Sequence, residues 1–485
     1  MCNGLHTPEA GERRLRCQVR DPTSGMAGAN DQAMPIHEDE SISLETHSLA
    51  DFANGGGCDV LDKCTRFASL VRDFESRADA RGQFRVELDG PLDHRVRHRD
   101  AVTGDVRELV CFDSNGYLGL QRDPRVVAAV HRALDEVGYG TPSAQLLGGT
   151  SRHLRELEDT VSAFVGREAT AIFPSGYAAN VGALTALLSR GDFVAHDRFA
   201  HASIADGCRF SGATARMYGH GNMAALDGVL SRIPGSASGR LVVTDGLFSM
   251  HSSIADVPTL RRLCDRHGAR LMLDDAHGLG VLGETGRGTE EHWGMPGAAE
   301  ILMGTFSKAP GSVGGYVSGS RELVEYLRYF ARAGVFTAAL PAATCAGITC
   351  AFGIMEREPE HRIRLWENAE RLHCGLRQSG WIVPREASPI VTAFVGHDRL
   401  LYRASRELFD RGFKVGVVSY PAVPKNESVL RLSVSARHTR GDLDRVIDAL
   451  ADIGRRYGVL HRAPEEIVDV GKGLTLDYRQ MGSAA

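Results

Sequence analysis

Short apolar runs alternate with amphipathic stretches over residues 116–340. The runs are typical of buried strands and occur in ATAIFP, DFVAHD, GRLVVTDG, ARLMLDDAHG and AEILMGTFSK, while helical patterns such as NVGALTALLS and VPTLRRLCDRHG separate them. Buried strands that alternate with helices are typical of a mostly parallel sheet covered by helices. The pattern therefore predicts an α/β fold whose large domain spans residues 116–340.

The flanking segments follow other patterns. Residues 1–60 are rich in Gly, Ser, Asp, Glu and His and have no sustained period, so we predict a largely disordered extension, followed by an N-terminal segment over 61–115. After Pro341 a long helical pattern precedes the strand-like SPIVTAFVG, KVGVVSYPAV and VLRLSVSA, which predicts a smaller C-terminal α/β domain over 341–485. The final EEIVDVGKGLTLDYRQMGSAA has no pattern that assigns it to an element.

Composition narrows the class of protein. The chain has 485 residues, of which 43% are hydrophobic and 24% charged, and its net charge of -5 includes no basic clustering of the kind that nucleic-acid binding needs. No apolar run approaches the length of a membrane span, and the N-terminus lacks the apolar stretch of a secretory signal. The ten cysteines are scattered without a C-x-x-C pair or a zinc-like cluster. We expect a cytoplasmic enzyme with reduced thiols and no metal site.

Polar residues follow four of the predicted strands, at the sheet edge where α/β proteins bind their ligands. These residues are Ser175, Gly176 and Tyr177; Asp245 and Ser249; Asp274, Asp275 and His277; and Thr305, Ser307 and Lys308. Each group has an ordinary alternative: a strand–helix junction, a turn, a metal site, and a loop lysine in water. The metal alternative is weak because no further His or Cys lies at ligand spacing.

Together the four strand ends suggest one ligand with three chemical groups. A helix N-terminus suits a phosphate, a carboxylate suits a protonated ring nitrogen, and a lysine amine suits an aldehyde. Pyridoxal 5'-phosphate has all three groups. A Schiff base with this cofactor would explain why Lys308 lies among small residues without a charge to bury.

Seven motifs carry a resemblance to a known family. They occur in unbroken order as NGYLGL (115–120), PSGYAAN (174–180), DRFAHASIADG (197–207), TDGLFSM (244–250), LDDAHGLGVLGETGRG (273–288), GTFSK (304–308) and LRLSVSARHT (430–439). This set resembles the α-oxoamine synthases, which include 8-amino-7-oxononanoate synthase and serine palmitoyltransferase. The resemblance covers roughly residues 80–460 and implies a pyridoxal-phosphate transferase of fold type I.

The resemblance implies a role for each site residue. Lys308 is the Schiff-base lysine, Asp274 the partner of the ring nitrogen, His277 the donor near the cofactor hydroxyl and acyl carbonyl, and His201 the imidazole stacked on the ring. The remaining cofactor contacts are Ser175, Gly176, Tyr177, Ser249 and Thr305, with Thr337 contributed by the partner chain of a homodimer. Arg431 binds the amino acid's carboxylate, with Asn115 beside the substrate.

The same resemblance implies the reaction. Glycine, alanine or serine condenses with an acyl thioester of CoA or of a carrier protein, usually with loss of carbon dioxide, to give an α-aminoketone. Two alternatives remain open at this point: an aminotransferase or other lyase of the same fold, and, more remotely, a non-catalytic pyridoxal-phosphate regulatory module.

One loop departs from the family pattern. In GTPSAQLLGGTSRHLRELE (140–158), Pro142, Ala144 and Gln145 replace the usual glycine, hydroxyl and arginine. The lost hydroxyl counts against a succinyl donor, because in 5-aminolevulinate synthases it helps to hold the succinyl carboxylate.

Overall fold

The described part of the chain contains three β-sheets and the helices that cover them. A computed structural model describes residue 52 and residues 59–76, 86–100, 103–420 and 422–473. Most of the predicted disordered extension, residues 1–60, lies outside the described residues. The predicted domain boundaries at 60, 115 and 340 stay predictions.

The strands of the described residues are numbered in chain order. They are β1 Arg95–Arg99, β2 Val106–Cys111, β3 Ala169–Phe173, β4 Phe193–Asp197, β5 Thr214–Tyr218, β6 Arg240–Asp245, β7 Arg270–Asp274, β8 Ile301–Thr305, β9 Gly315–Gly319, β10 Ile390–Gly396, β11 Phe413–Lys414, β12 Gly416–Val418 and β13 Ser428–Ser433.

The helices are identified by their bounds. They span Asp62–Ser76, Pro124–Val137, Arg152–Val165, Gly176–Leu187, Ala202–Ser211, Met223–Leu230, Val257–His267, Thr289–His292, Arg321–Phe330, Arg332–Val335, Ala342–Arg357, Glu360–Gln378, Asp398–Asp410, Arg440–Tyr457 and Pro464–Gly473, with a 3₁₀ turn at Leu120–Arg122 and a π-helical turn at Gln145–Gly149.

The large sheet has seven strands in the order β3-β9-β8-β7-β6-β4-β5. The pairs β4–β5, β4–β6, β6–β7 and β7–β8 are parallel, whereas β9 runs antiparallel to both of its neighbours. The prediction of a mostly parallel sheet is confirmed. The antiparallel strand β9 was not predicted, because GGYVSG is rich in glycine and lacks the apolar run of the other strands.

Successive residues of the large sheet contribute to two separate cores. Leu271 and Leu273 of β7 pack in one cluster, while Met272 between them packs in the other. This alternation places one apolar layer on each face, as expected when helices cover both sides of a sheet.

Two small sheets accompany the large one. Strands β10, β13 and β12 form an antiparallel sheet in the order β10-β13-β12, and β1, β2 and β11 form the other. The long helical pattern after Pro341 divides into two helices at Glu358 and Pro359, because proline cannot continue the hydrogen-bond ladder of the preceding helix. Part of the unassigned C-terminal stretch is helical and ends at Gly473.

The close approach of β9 to the helix Gly176–Leu187 leads to a stability prediction. A Cβ added at Gly315 would meet the Cα of Gly176 at 2.7 Å and the carbonyl oxygen of Ser175 at 2.7 Å, and this backbone cannot move aside cheaply. We expect Gly315→Ala to lower the free energy of unfolding by about 1–3 kcal/mol, measured by urea denaturation. Gly228→Ala is the control, because a Cβ at that helical position meets nothing within 4 Å. Equal stability of the two variants would contradict the steric argument.

Candidate active site

The ends of β6, β7 and β8 bring the predicted acidic residues and the lysine into one region. Asp245 pairs directly with Asp274 in the parallel ladder, and Asp274 pairs with Met303. Thr305 ends β8, and the turn that follows carries Lys308 before the chain returns along β9. The carboxyl edge of the sheet therefore gathers these groups, as the sequence predicts.

Asp274 is held by two hydrogen-bond donors. Its side chain is buried, and Oδ1 accepts from the backbone N–H of Ala276 at 3.0 Å while Oδ2 accepts from Nδ2 of Asn180 at 2.7 Å. The Asn180 amide also donates to Oγ of Ser203 at 2.9 Å. These donors fix the position of the carboxylate, which burial would otherwise make costly.

Lys308 lies in a setting that favours its neutral amine. Its side chain is partly buried, and burial lowers its pKa. The positive charge of Arg431 lowers this pKa further, whereas the carboxylates of Asp274 and Asp245 raise it. Burial also raises the pKa of Asp245 well above its ordinary value, and the neighbouring Asp274 raises it further. Two nearby carboxylates and one amine thus share a poorly hydrated site, an arrangement common in catalytic centres.

His277 is buried and oriented by a tyrosine. Its Nδ1 lies 2.7 Å from the hydroxyl of Tyr117, which is itself fully buried. Burial lowers the pKa of His277 well below its ordinary value, and the positive charges of Lys308 and Arg431 lower it further. The imidazole is therefore neutral near pH 7.

The start of the helix Gly176–Leu187 forms a narrow recess beside β8. Ser175 caps the helix by accepting the N–H of Ala178 at 3.1 Å, and a Cβ at Gly176 would meet Cβ of Thr305 at 3.1 Å. Thr305 is buried, and its hydroxyl donates to the carbonyl of Gly314 at 2.8 Å. The small residues leave backbone N–H groups of a helix N-terminus accessible to an anion.

Arg431 on β13 reaches the site from the small sheet. Its Nε donates to the carbonyl of Ser249 at 2.7 Å, Nη1 to Oγ of Ser433 at 2.8 Å, and Nη2 to Oδ1 of Asn115 at 3.1 Å. A guanidinium has five N–H donors, so these three bonds fix its plane and leave two donors for a ligand. Arg431, Asn115 and Ser249 are thus brought together.

His201 lies at the exposed side of the site. Its backbone N–H donates to Oδ1 of Asp245 at 3.0 Å, and its Nδ1 lies 2.7 Å from Oγ of Ser203. Ser203 therefore connects His201 to Asn180 and, through it, to Asp274. The ring is oriented by the same network that holds the buried carboxylate.

Asp275 does not take part in this network. Both of its oxygens accept from Thr289, one from the backbone N–H at 2.8 Å and the other from the hydroxyl, and burial raises its pKa to about 7. Asp275 therefore fixes the loop after β7. Among the residues that the structure describes, no group of three or more His, Cys, Asp or Glu could hold a metal ion.

Two of the predicted cofactor contacts, Tyr177 and Thr337, do not place their side chains beside the other site residues. The Tyr177 hydroxyl bonds to Asp206 and the side chain is exposed, so only its backbone lies at the recess. Thr337 follows the helix Arg332–Val335, and among the described residues no hydrogen bond joins it to Lys308 or Asp274. Its predicted contact across a dimer stays a prediction.

Sequence reasoning missed three residues that orient the site. Asn180 holds Asp274, Tyr117 holds His277, and Ser203 joins Asn180 to His201. Each lies inside a quoted motif, and Asn180 is a fully buried amide in an otherwise apolar helix. A polar residue at a buried helix position was the available signal, because it needs a partner.

These residues fit pyridoxal phosphate. The recess at Gly176 would be filled by a Cβ, the buried Asp274 faces the same space as Lys308, and burial favours a neutral lysine amine. Together with the mostly parallel sheet, this set defines a pyridoxal-phosphate enzyme of fold type I.

Comparisons with known proteins identify the family. The family model described as aminotransferase class I and II matches residues 107–450. The chain is 39% identical over 349 residues to serine palmitoyltransferase of Sphingobacterium spiritivorum, covering 72% of this chain and 87% of that protein. It is 40% identical over 357 residues to 8-amino-7-oxononanoate synthase of Geotalea daltonii, covering 73% and 91%.

A third relative is longer than this chain. The 4-hydroxy-2,2'-bipyrrole-5-methanol synthase PigH of a Serratia species is 36% identical over 427 residues, which is 88% of this chain. The match spans 65% of the length of PigH.

Solved structures agree with this family. Sphingomonas wittichii serine palmitoyltransferase is 32% identical, with a TM-score of 0.77, and covers 83% of this chain and 100% of that one. A serine palmitoyltransferase structure that contains pyridoxal phosphate matches with a TM-score of 0.77 and 31% identity. The chain belongs to the aminotransferase class I and II family, and within it to the pyridoxal-phosphate-dependent α-oxoamine synthases. These relatives lend no support to an aminotransferase or regulatory function.

None of the described helices combines the length and the apolar character that crossing a bilayer requires.

The charge of Arg431 leads to a pH prediction. An amine reacts with an aldehyde only in its neutral form, and Arg431 lowers the pKa of the Lys308 amine, the predicted partner of the cofactor. Arg431→Gln removes the positive charge, so the pKa of Lys308 should rise. The pH at which the rate of cofactor capture increases should therefore also rise. The measurement is the rate at which lysine-linked absorbance forms when pyridoxal phosphate is added to apoenzyme, from neutral to alkaline pH. Arg437→Gln is the control, and a shift to lower pH in Arg431→Gln would contradict the assignment.

Proposed function

We propose that this enzyme condenses a small amino acid, glycine, alanine or serine, with a neutral acyl thioester, usually with decarboxylation, to an α-aminoketone. The observation that carries the proposal is the placement of Lys308, Asp274 and Arg431 around one space, each oriented by its own partners. This set can hold the cofactor, remove a proton from Cα and fix the substrate carboxylate at the same time.

The cofactor end of the site provides stabilisation for a carbanion. Bound pyridoxal phosphate supplies a ring that accepts electrons from the substrate Cα when its nitrogen is protonated. Asp274 would keep a proton at that nitrogen, with Asn180 and the Ala276 N–H holding the carboxylate in place. Ser175, Gly176, Tyr177 and Thr305 would hold the phosphate, with Thr337 added from a partner chain.

Lys308 would act as the base at the reacting carbon. Its amine can take the Cα proton of an amino acid held at the site, and burial lowers its pKa below that of a lysine in water. The carboxylates of Asp274 and Asp245 stabilise the ammonium that results. The proton can then return to carbon after carbon dioxide has left.

Arg431 would orient the amino acid. Its two uncommitted N–H groups can hold the substrate carboxylate, and Asn115 and Ser249 keep the guanidinium from rotating. His277, neutral because of burial, can donate one hydrogen bond to the cofactor hydroxyl or the acyl carbonyl while Tyr117 occupies its Nδ1. His201 would stack on the cofactor ring, and Ser249 would lie beside the cofactor.

The loop 140–149 favours an uncharged acyl group. Nε2 of Gln145 donates to the carbonyl of Ile172 at 2.8 Å, and Oγ of Ser143 accepts the N–H of Gly148 at 2.9 Å. Gln145 therefore binds the main chain through one of its amide N–H groups and carries no charge, and the side chain of Ala144 has no polar group. Neither residue supplies a cation for a carboxylate at the far end of an acyl chain.

The proposal includes that the enzyme is a homodimer in the cytoplasm. Three large apolar side chains are highly exposed: Tyr139 at 87%, Leu147 at 83% and Phe336 at 74%. The segments that carry these side chains are neighbours, because the N–H of Ala339 donates to the carbonyl of Ser143 at 3.0 Å. Large exposed apolar side chains in neighbouring segments are typical of subunit interfaces. This surface supports a shared site to which Thr337 of the partner subunit contributes.

Lys308→Ala tests the catalytic lysine. We expect a folded protein whose turnover falls at least about a thousandfold, because both the covalent anchor and the base are lost. Borohydride reduction followed by peptide mapping should label Lys308 in the wild type and in the control Lys63→Ala. A labelled lysine in Lys308→Ala would disprove the assignment.

A competition between acyl donors tests the reaction itself. Succinyl-, acetyl- and longer acyl thioesters, on CoA and on a carrier protein, are supplied with glycine, alanine or serine, and kcat/KM is measured from product formation. A missing charge-assisted contact costs about 1.5–3 kcal/mol, so neutral donors should exceed succinyl-CoA by at least about tenfold. Preference for succinyl-CoA would mean that another residue supplies the cation.

A further inference from the structure

A cavity of about 630 Å³ adjoins the small sheet β10-β13-β12. Its apolar wall consists of Met250, Phe394, Val423, Val429 and Val468. The volume lies within the range of pockets that enclose small organic ligands, about 300–1,000 Å³. None of the roles assigned to the active site uses this space.

We propose that the cavity takes the apolar chain of the acyl thioester and sets which chain lengths the enzyme accepts. The inference rests on the acyltransferase function proposed above and adds the location and character of its acyl site.

Strand register connects the cavity to the substrate arginine. Thr392 of β10 pairs with Arg431 of β13, and two residues along, Phe394 pairs with Val429. Alternate residues of a strand share one face, so Arg431 and Val429 point to the same side, about 7 Å apart along the strand. The face that presents Arg431 to the active site therefore continues as the apolar floor of the cavity.

A second connection runs through the loop after β6. Ser249 accepts a hydrogen bond from Arg431 at 2.7 Å, and the next residue, Met250, lines the cavity together with His251. Met250 also packs against the apolar cluster of Val418, Val423 and Val429. One loop thus borders the substrate arginine and the cavity in successive residues.

The chemistry of condensation requires an acyl pocket close to Arg431. Cα loses its proton to Lys308, its electron pair forms a bond to the thioester carbonyl carbon, and the C–S bond breaks to release the thiolate. Cα is bonded to the carboxylate that Arg431 would hold, so the first acyl carbon lies two bonds from that carboxylate carbon. A chain that extends along the sheet face from this point enters the cavity.

The rim of the cavity favours a neutral chain end. Its exposed charged residues are Lys425, Glu427, Glu465, Asp469 and Lys472, which sum to a negative rather than a positive charge. Lys472 is itself paired with Asp469 at 3.2 Å. The rim therefore offers little attraction to a free carboxylate, in agreement with the uncharged side chains of Ala144 and Gln145.

One wall of the cavity lies outside the residues that match the family model. Val468 belongs to the helix Pro464–Gly473, whereas the matched region ends at residue 450. A Cβ at Gly396 on β10 would meet Cγ2 of Val468 at 2.7 Å, so this helix packs closely on the small sheet. Val468 and Val429 thus confine the same space from a helix and from a strand.

Two cavity-filling variants test the proposal. Val429→Phe and Val468→Phe reduce the space from different sides, and Val106→Phe on the exposed face of β2 is the matched control. kcat/KM is measured for acetyl, butyryl, octanoyl and dodecanoyl thioesters on CoA and on a carrier protein. In the wild type each added methylene that enters the cavity should raise kcat/KM about threefold to fourfold.

The expected change is in the ratio between long and short chains. Both filling variants should lower the octanoyl-to-acetyl ratio at least about tenfold on either carrier, while the acetyl rate stays within about threefold of the wild type. An unchanged ratio in variants that retain the wild-type melting temperature would overturn the proposal, and so would equal losses for acetyl and octanoyl donors. If the wild type condensed no thioester of any length, the proposed function itself would fail.

A binding measurement gives a readout independent of turnover. S-octyl-CoA, a thioether that cannot react, should bind the wild type and Val106→Phe at least about tenfold more tightly than it binds Val468→Phe, by calorimetry. S-ethyl-CoA should bind all three alike. Equal affinity of S-octyl-CoA for every variant would mean that something other than an acyl chain occupies the cavity.

Discussion

The hydrogen bond between Asn180 and Asp274 is the contact on which the site depends most. A carboxylate in a dry site needs donors that water no longer provides, and leaving it without them costs on the order of 1–3 kcal/mol or more. Asn180 supplies one donor from the helix whose first residues form the anion recess. Because a helix rises 1.5 Å per residue, Asn180 lies about 6 Å along that axis from Gly176. One helix therefore sets the distance between the buried carboxylate and the anion recess.

A second constraint concerns positive charge. Lys308 and Arg431 lie close enough for Arg431 to lower the pKa of the lysine, and both depress the pKa of His277. Two nearby carboxylates, Asp274 and Asp245, limit this repulsion. Burial and Arg431 shift the Lys308 amine towards its neutral form, and the two carboxylates oppose that shift. Burial is the largest contribution to each of these shifts, so the closed packing around the sheet edge, rather than any single charge, sets the protonation states.

The residues that carry chemistry were easier to predict than the residues that orient them. Asp274 and Lys308 follow apolar strands, so a local pattern places both at the carboxyl edge of the sheet, as found. Tyr117 and Asn180 act through contacts with residues 160 and 94 positions away. Such pairs depend on how helices and strands pack, so no local periodicity of the sequence predicts them.

The same distinction holds for the fold. Strand β8 has a continuous apolar run and was predicted, whereas β9 begins at Gly315, which packs against Gly176 with no room for a Cβ. The glycines of β9 hide its strand pattern. The Pro359 break was readable in principle, because proline favours the end of one helix and the start of the next. Close packing beside Gly176 thus removed the local signal of β9.

The two ends of the site differ in how freely they can change. At the cofactor end, Asp274, Asn180 and Ser203 form a chain of buried polar contacts, in which losing one partner leaves another unsatisfied. On the proposed acyl side, the loop 140–149 is bound mainly through main-chain contacts, and the apolar wall of the cavity consists of side chains that contact one another through dispersion. Apolar exchanges there cost less and need no compensating donor. In the proposed function, donor specificity can therefore vary on this scaffold while proton transfer at Lys308 is kept, because the two depend on separate sets of contacts that meet at Arg431.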